Sequence, residues 1–373
     1  MAANMSLAMD DTDKVKILVE DSVDICGLTI LPPDINQSEY RFIPVGEPGK
    51  KALQIRYGLG AVKGSGQSAI EAIVAARKQG GPFTDLFDFA KRVDKQQINR
   101  RTIESLIRAG AFDCFNVDRA ILLASVSLAL EGAEQAAAAA NQVSLFGDDS
   151  DMAAPPEYIK VPAWSEKQRL TEEKSALGFY LSGHLFNAYA PEARKFARTK
   201  LADLAPSRDP RVIAGVITTV RTQMTQRGKL VIVTLDDGSA TVDVTVYNEL
   251  YDPNRRLFKE DEFLAVLGKV SEDRFSGGLR ISADKVMDIA AARAAFGKSL
   301  RLSMNGQADA RKLREMLTPF QQAEDACRVV VQYTKDGALG ELQLSEEWRV
   351  RGDDALRSKL GEWLREENVW FEY

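Results

Sequence analysis

The chain has 373 residues, 45% hydrophobic and 28% charged, which suits a globular protein of two or three domains. Its net charge of −5 argues against a protein that binds only nucleic acid, because phosphate contacts need surplus Lys and Arg. There is no apolar run of about 18 residues, and three distant cysteines and one histidine form no metal-ligand spacing. We therefore expect a cytoplasmic protein with no membrane span and no metal site.

The N-terminal residues combine helical, apolar and turn-forming stretches. Residues 1–31 predict a helix followed by a short apolar run at 27–31, and two prolines end the element. Asp11 and Asp13 resemble the acid pairs that hold two magnesium ions for phosphoryl transfer. Because acids at a helix start are stabilised by the helix dipole, we interpret both as structural. An enzyme that uses this pair is kept as an alternative hypothesis.

A glycine-rich turn at residues 57–66 precedes a predicted helix at 68–79. Glycine permits close backbone approach and positive φ, and amides at a helix start bind anions. These features predict a helix-hairpin-helix turn that holds a DNA phosphate, whereas the alternative is a tight turn with a helix cap. A dinucleotide site is rejected because no convincing strand precedes the glycines. The residues expected near DNA are Gly58, Gly60, Lys63, Gly64 and Gly66.

A second candidate phosphate site lies at Asn99, Arg100 and Arg101, which open a predicted helix at 99–109. Residues 50–120 contain 13 Lys and Arg against 7 Asp and Glu, a local surplus of six positive charges. The duplication of the motif and this surplus together favour DNA binding over a purely structural role.

A helix predicted at 118–130 leads through five alanines into an exposed linker at 141–157. The linker contains the sequence Gln-Val-Ser-Leu-Phe, in which two large apolar side chains have no core to join. Short exposed anchors of this kind usually bind a partner's pocket, although they can also fold back onto a neighbouring domain. The candidate partner-binding residues are Gln142, Ser144, Leu145 and Phe146.

Beyond the linker, a helical stretch at 165–181 gives way to strands with a period of two. Three strands, a helix-like stretch at 248–259 and two more strands fit an OB barrel, although other small barrels share that pattern. The strands are predicted at 211–220, 229–235, 242–246, 262–270 and 279–289.

Basic residues cluster at two predicted hairpins of this barrel, one of which contains Phe275. Basic loops around an aromatic suit single-stranded DNA, where backbone contacts and stacking supply the affinity. Solvated hairpin tips are often basic without such a role, and the two interpretations stay open. The residues concerned are Arg221, Arg227, Lys229, Arg274 and Arg280.

The last part of the chain predicts a small α+β domain, with helices at 308–317 and 353–365 and strands at 328–333 and 341–344. Residues 298–373 carry 12 basic and 14 acidic side chains, so a protein partner is favoured over DNA. The aromatic candidates for that partner are Trp363, Trp370 and Phe371, which core positions would equally explain.

Several segments, in this order, resemble the α subunit of bacterial DNA polymerase III, a family C replicative polymerase. The resemblance covers nearly the whole chain. It is carried by residues 2–15, 31–36, 58–64, 99–101, 109–113, 177–184 and 275–279.

The resemblance implies a multidomain α+β protein built from a helix-hairpin-helix domain, a five-stranded OB barrel and a small α+β C-terminal domain. Its partners would be duplex DNA, single-stranded template, the β sliding clamp at Gln142–Phe146 and the τ subunit of the clamp loader at the tail. The implied divisions are the end of the fingers (1–45), the helix-hairpin-helix domain (46–135), the clamp-binding linker (136–160), a helical connector (161–200), the OB domain (201–296) and the τ-binding domain (297–373).

Catalysis is not expected in this chain itself. In the family the nucleotidyltransferase carboxylates lie in a palm domain, and no segment here matches it. The chain is therefore expected to be a C-terminal fragment that lacks catalytic residues and a cofactor, whereas the full-length polymerase would use magnesium. The alternative is a free-standing helix-hairpin-helix and OB protein of DNA repair or recombination. Primer extension and clamp binding would separate these hypotheses.

Overall fold

The computed structural model describes residues 1–46, 53–94, 96–141, 157–225, 228–272, 277–304, 309–322, 324–335 and 338–373. The chain divides into two units, Met1–His184 and Leu185–Tyr373. Helices and short strands mix in the first unit, and a barrel is followed by a smaller sheet in the second. The predicted multidomain α+β class is therefore confirmed.

The first unit is mainly helical, with one small sheet of order β1-β3-β2 in which β1 and β3 run parallel. Its elements are α1 (Ala2–Leu7), α2 (Thr12–Asp24), β1 (Thr29–Leu31), β2 (Ile43–Val45), β3 (Gln54–Arg56), α3 (Gln67–Gly80), α4 (Leu86–Arg92), α5 (Arg100–Arg108), α6 (Arg119–Asn141) and α7 (Glu166–Leu177).

The single helix predicted at the N-terminus is wrong, because the structure has two helices and a strand there. The Asp11 carboxylate accepts a hydrogen bond from the Lys14 amide and so begins α2 as its N-cap. The Lys14 ammonium, which hydrogen-bonds the same carboxylate, and the Lys14 amide both lower the pKa of Asp11. Asp11 therefore has the position at a helix start that the structural interpretation expects. Within the described ranges, no cluster of three or more acidic, Cys or His residues could hold a metal ion.

One hydrophobic core runs through the whole first unit and joins α1 and α2 to the helices that follow. Met5, Tyr57, Phe89 and Leu177 are all fully buried in it. Burying each large apolar side chain contributes about 1.5–3 kcal/mol, before the loss of chain entropy. The predicted end of the fingers therefore shares its core with the glycine-rich region.

Helix α6 is the one described helix whose length and apolar composition would suit a membrane span. In the structure Leu122, Val126, Ala129 and Ala133 lie on one side of it and are buried in the core. This side packs against α4 and α5. The helix extends beyond the predicted 118–130 because the alanines that follow favour helix.

The second unit begins with short helical turns and continues into the barrel and the tail. Its elements are α8 (Ala190–Ala193), β4 (Ser207–Thr225), β5 (Gly228–Asp236), β6 (Thr241–Tyr247), α9 (Asn248–Tyr251), β7 (Phe263–Glu272), β8 (Leu279–Met287), α10 (Ile289–Phe296), β9 (Ser299–Ser303), α11 (Ala310–Leu317), β10 (Val329–Lys335), β11 (Ala338–Gln343), α12 (Asp354–Leu364) and β12 (Val369–Glu372).

Five strands close into a barrel of order β4-β5-β6-β8-β7, as the sequence predicts. β4 is long enough to pair with both β5 and β7, and the parallel pair β6 and β8 completes the ring. The helix-like stretch between the third and fourth strands is α9 with a 3-10 turn at Asp252–Leu257. Alternate residues such as Val244, Val246 and Ile281 fill the interior.

The tail forms a four-stranded sheet of order β11-β10-β9-β12 with α11 and α12 on one face. Leu300, Val369 and Phe371 point to these helices and are buried with Leu356 and Leu360. Because strand residues alternate between faces, Trp370 and its cross-strand neighbour Arg301 lie on the opposite face.

A buried ionic cluster joins the tail to α8. Glu192 accepts two hydrogen bonds of 2.7 Å from Arg293, which is 1% exposed, and one of 2.5 Å from the Tyr373 hydroxyl. Burial raises the pKa of Glu192, but the hydrogen bonds and charge of Arg293, the Tyr373 hydroxyl and the charge of Arg357 together outweigh it and hold this pKa below the ordinary value. The Arg293 guanidinium also donates to the Gly352 carbonyl at 2.7 Å. The end of the chain is thereby fixed in place.

Candidate nucleic-acid interface

Gly58 and Gly60, predicted to contact DNA, lie against the chain segment at residues 40–42. A Cβ on Gly58 would come within 2.7–2.8 Å of backbone atoms of that segment, and one on Gly60 would meet the Tyr40 ring at 2.4 Å. The Gly60 amide already donates to the Tyr40 carbonyl at 3.0 Å. Both positions need glycine for close packing inside the unit, and that packing alone accounts for them.

Gly64 and Gly66 lie at the exposed end of the same turn. Gly64 has a φ of +80°, which favours glycine, and Gly66 begins α3 without a side-chain cap. The first amides of a helix point outwards and carry the positive end of its dipole. The start of α3 therefore has the geometry of an anion site, and the exposed Lys63 adjoins it.

The start of α5 lies directly beside this turn. The Thr102 hydroxyl donates to the Gly64 carbonyl at 3.2 Å, and the Asn99 side chain caps α5 by accepting from the Thr102 amide at 2.9 Å. Arg100 and Arg101 are both exposed there. The structure thus brings the two phosphate sites predicted from sequence into one place.

The two arginines differ in their partners. Arg100 donates to Glu104 at 2.6 Å, which neutralises part of its charge, while its side chain stays 61% exposed. Asn99 directs its side chain to the helix backbone and so acts as a cap. Of the three basic residues at this surface, Lys63 and Arg101 have no ion pair among the described residues, whereas Arg100 pairs with Glu104.

A buried pair behind this surface was not predicted from the sequence. Glu173 is 1% exposed and lies 3.3 Å from the Arg119 guanidinium, which also donates to Asp113 at 2.6 Å. Glu173 further accepts hydrogen bonds of 2.6–2.7 Å from Leu181 and Ser182. It therefore holds the segment after α7 in place.

Helix α7 also supports the glycine-rich turn. The Lys63 amide donates to the Ala176 carbonyl at 2.8 Å, one turn beyond Glu173. The backbone that presents Lys63 is consequently fixed to the helix whose end Glu173 stabilises. No short-range sequence pattern would reveal this link, because its partners are more than 100 residues apart.

The barrel has a polar outer face that includes two of the predicted basic residues. Arg280 donates to the Thr245 hydroxyl at 2.5 Å, and Arg221 lies 3.4 Å from Asp243. Arg227 and Arg274 lie outside the described residues, and Lys229 belongs to β5. An exposed aromatic, Tyr247, shares this face because it follows Thr245 by two residues.

Sequence reasoning missed Tyr247 as a stacking candidate. The period-two pattern of β6 could have identified it, since the same pattern assigns Val242, Val244 and Val246 to the interior. An exposed ring on the same face as two arginines suits single-stranded nucleic acid, where backbone contacts and base stacking supply the affinity.

The remaining candidate residues lie elsewhere. Gln142, Ser144, Leu145 and Phe146 are outside the described residues. The three tail aromatics are not brought together. Phe371 is buried in the core, Trp363 on α12 is half-buried with Lys312 over its ring at 5.0 Å, and Trp370 faces away from that core.

Two family models match parts of the chain. The helix-hairpin-helix motif matches residues 27–122, and the OB-fold nucleic acid binding domain matches residues 212–289. These ranges contain the paired helix starts and the barrel, respectively. The predicted helix-hairpin-helix and OB domains are therefore confirmed.

DNA polymerase III α subunits from several bacteria match nearly all of the chain. That of Neisseria meningitidis serogroup B is 43% identical over 367 residues, which are 96% of this chain and 31% of the relative. Those of Vibrio cholerae and Escherichia coli K12 are 40% and 38% identical, each covering 100% of this chain and 32% of the relative. The chain spans about a third of the length of these curated relatives.

Among solved structures, the second OB-fold domain of replication protein A from Methanococcus maripaludis is 24% identical, with a TM-score of 0.21. The match covers 24% of this chain and 93% of that domain. The sequence identities and the two domain matches agree with the resemblance in the sequence motifs. The chain is thus similar over nearly its whole length to DNA polymerase III α subunits, corresponding to about a third of their length, and it carries a helix-hairpin-helix motif and an OB-fold nucleic-acid-binding domain.

Proposed function

We propose that this chain is a DNA- and partner-binding part of a replicative DNA polymerase that supports processive synthesis. In this proposal the helix-hairpin-helix region binds duplex DNA and the barrel binds single-stranded template. The linker at Gln142–Phe146 binds the β sliding clamp, and the tail binds the τ subunit of the clamp loader. The observation that carries the proposal is the hydrogen bond from Thr102 to Gly64, which joins two exposed helix starts into one basic surface.

Duplex binding should depend mainly on phosphate contacts and tolerate changes of base sequence. Replacing Lys63 and Arg101 together by alanine is expected to lower duplex affinity and flatten the slope of log affinity against log salt by about two units, since each lost phosphate contact contributes about one. Arg100→Ala should have a smaller effect because Glu104 already pairs with Arg100. The measurement is a salt titration of binding to a short duplex.

The matched control replaces two exposed lysines of the same unit, Lys16 and Lys160, which lie outside the glycine-rich turn and the start of α5. This variant has the same change in net charge and should keep the original slope. If the Lys63 and Arg101 variant behaved like the control, the paired helix starts would not be the duplex-binding surface.

Of the three tail aromatics predicted to bind a protein, Trp363 lies on the helical side of the sheet and keeps an accessible surface. Lys312 covers part of its ring, and the two side chains form an amphipathic patch between α11 and α12. Such patches with a tryptophan at the centre often dominate binding energy at protein interfaces. We place the τ contact there, with Phe371 supporting it from the core.

Replacing Trp363 by serine is expected to weaken τ binding about tenfold or more, the loss expected for a hot-spot tryptophan. Clamp binding should be unchanged, because the clamp motif lies in a different segment. Trp370→Ser is the control, since it removes a tryptophan from the other face of the sheet. Surface plasmon resonance with immobilised τ would measure both. Equal τ affinity in the Trp363 variant and the unaltered chain would contradict this placement.

A further inference from the structure

The proposed function assigns no ligand to a cleft in the second unit, and of the residues that line this cleft only Phe371 enters that proposal. It has a volume of about 500 Å³ and lies between the segment that follows α8 and the end of β12. This volume is within the range of small-molecule sites. Its lining residues are Lys195, Arg198, Trp370, Phe371, Glu372 and Tyr373.

The cleft carries uncompensated positive charge. Lys195 and Arg198 are both exposed, and neither pairs with a carboxylate among the described residues. Glu372, the one acidic side chain of the lining, is already held by Arg301 at 2.7 Å. This differs from the surrounding arginines, because Arg194 and Arg293 each have an acidic partner. Two cations without a carboxylate partner in the lining of the cleft therefore favour an anion.

The walls of the cleft are aromatic and fixed in place. Trp370 is half-buried on the open face of the tail sheet. The Tyr373 ring stacks on Phe196 with centroids 5.7 Å apart, and Lys195 lies 5.2 Å from its centroid. The Tyr373 hydroxyl is anchored by Glu192. A flat ligand would therefore bind against rings that are already held in position, without the entropy cost of ordering them.

We propose that this cleft binds one nucleotide, with its phosphate between Lys195 and Arg198 and its base against Trp370. Phosphate suits this Lys and Arg pair, and a base adds the flat apolar surface that an isolated phosphate lacks. The cleft volume of about 500 Å³ suits one nucleotide rather than a longer strand. The ligand is either a free nucleotide or one residue of a single strand.

The test is a titration of the full chain with dATP, and separately with a short oligothymidylate, followed by fluorescence. Replacing Lys195 and Arg198 together by glutamine should weaken dATP binding at least tenfold. Trp370→Leu should weaken it about fivefold or more, since base stacking on an aromatic contributes about 1–3 kcal/mol. Trp370→Phe keeps a flat ring and should retain most of the affinity.

The matched control replaces Lys200 and Arg208 by glutamine, which changes the charge equally outside the cleft. It should bind dATP like the unaltered chain. If the oligothymidylate displaces dATP from the unaltered chain but not from the Lys195 and Arg198 variant, the natural ligand is a single strand. If dATP binds and the oligothymidylate does not displace it, the natural ligand is a free nucleotide. The proposal is overturned if dATP does not bind, if the control loses as much affinity, or if polyglutamate displaces dATP and binds more tightly.

Discussion

Replacing Leu145 and Phe146 together by alanine is expected to weaken binding to the β sliding clamp about 100-fold or more. In the proposed function these side chains insert into a pocket of the clamp, where burial of each contributes about 1.5–3 kcal/mol. Because about 1.4 kcal/mol is a factor of ten in affinity, losing both contributions accounts for the expected change. Gln142→Ala should have a smaller effect, since that residue would orient the motif through polar contacts.

The same double variant should keep the melting temperature of the chain nearly unchanged, because the linker composition leaves these residues with no core of their own. Val143→Ala is the matched control, as it removes apolar surface from the variable position of the motif. Both clamp affinity and thermal unfolding must be measured on the same preparations. Unchanged clamp affinity would contradict the docking role. A large loss of thermal stability would show that Leu145 and Phe146 belong to a folded core.

The barrel was predictable because its information is local. In β6, Val242, Val244 and Val246 alternate with polar residues, and one buried face is sufficient to produce that pattern. The helix-like stretch between the third and fourth strands then reduced the folds compatible with this order of elements to a few small barrels. Ring closure through β6 and β8 depends on long-range pairing, which periodicity does not encode.

The glycine-rich turn shows where sequence reasoning reaches its limit. An anion site and a close approach of two backbones both require glycine, so Gly58 and Gly64 look alike in the sequence. They differ only through a remote neighbour, the segment that contains Tyr40. The motif was therefore located correctly by pattern, whereas the separate role of each glycine needed the fold.

The sequence of the tail also indicates which of its aromatic residues face the core. Trp370 and Phe371 are adjacent in a strand, so they must point to opposite faces, and the buried partner identifies the core side. The N-terminal segment shows the converse case. A cap at Asp11 restarts the helix within a stretch whose composition alone suggests one continuous helix.

The buried Arg119 and Glu173 pair leads to the largest expected effect on stability. Replacing Glu173 by alanine leaves the Arg119 guanidinium, which is 6% exposed, without one of its two carboxylates. It also removes the acceptor of three hydrogen bonds donated by Leu181 and Ser182. Breaking a buried pair by removing one partner costs about 3–5 kcal/mol. We expect the first unit to be destabilised by roughly this amount.

The neighbouring residue supplies the control. Glu172 pairs with Arg108 at 2.9 Å but is 31% exposed, so Glu172→Ala should cost no more than about 1 kcal/mol. Hydrogen exchange of the full chain distinguishes the two variants. Glu173→Ala should reduce the protection of amides in α5 and α7 more than 100-fold, since about 3 kcal/mol corresponds to that factor, and spare the barrel strands.

This stability prediction also concerns the surface proposed to bind duplex DNA. The Lys63 amide is bound to the Ala176 carbonyl on α7, so loosening the end of that helix releases the turn that presents Lys63. Glu173→Ala should therefore lower duplex affinity, although Glu173 itself lies buried away from solvent. Glu173→Gln should lower it less, because the amide oxygen can still accept from the segment after α7. If Glu173→Ala changed amide protection no more than Glu172→Ala, the buried pair would not be what holds this surface in place.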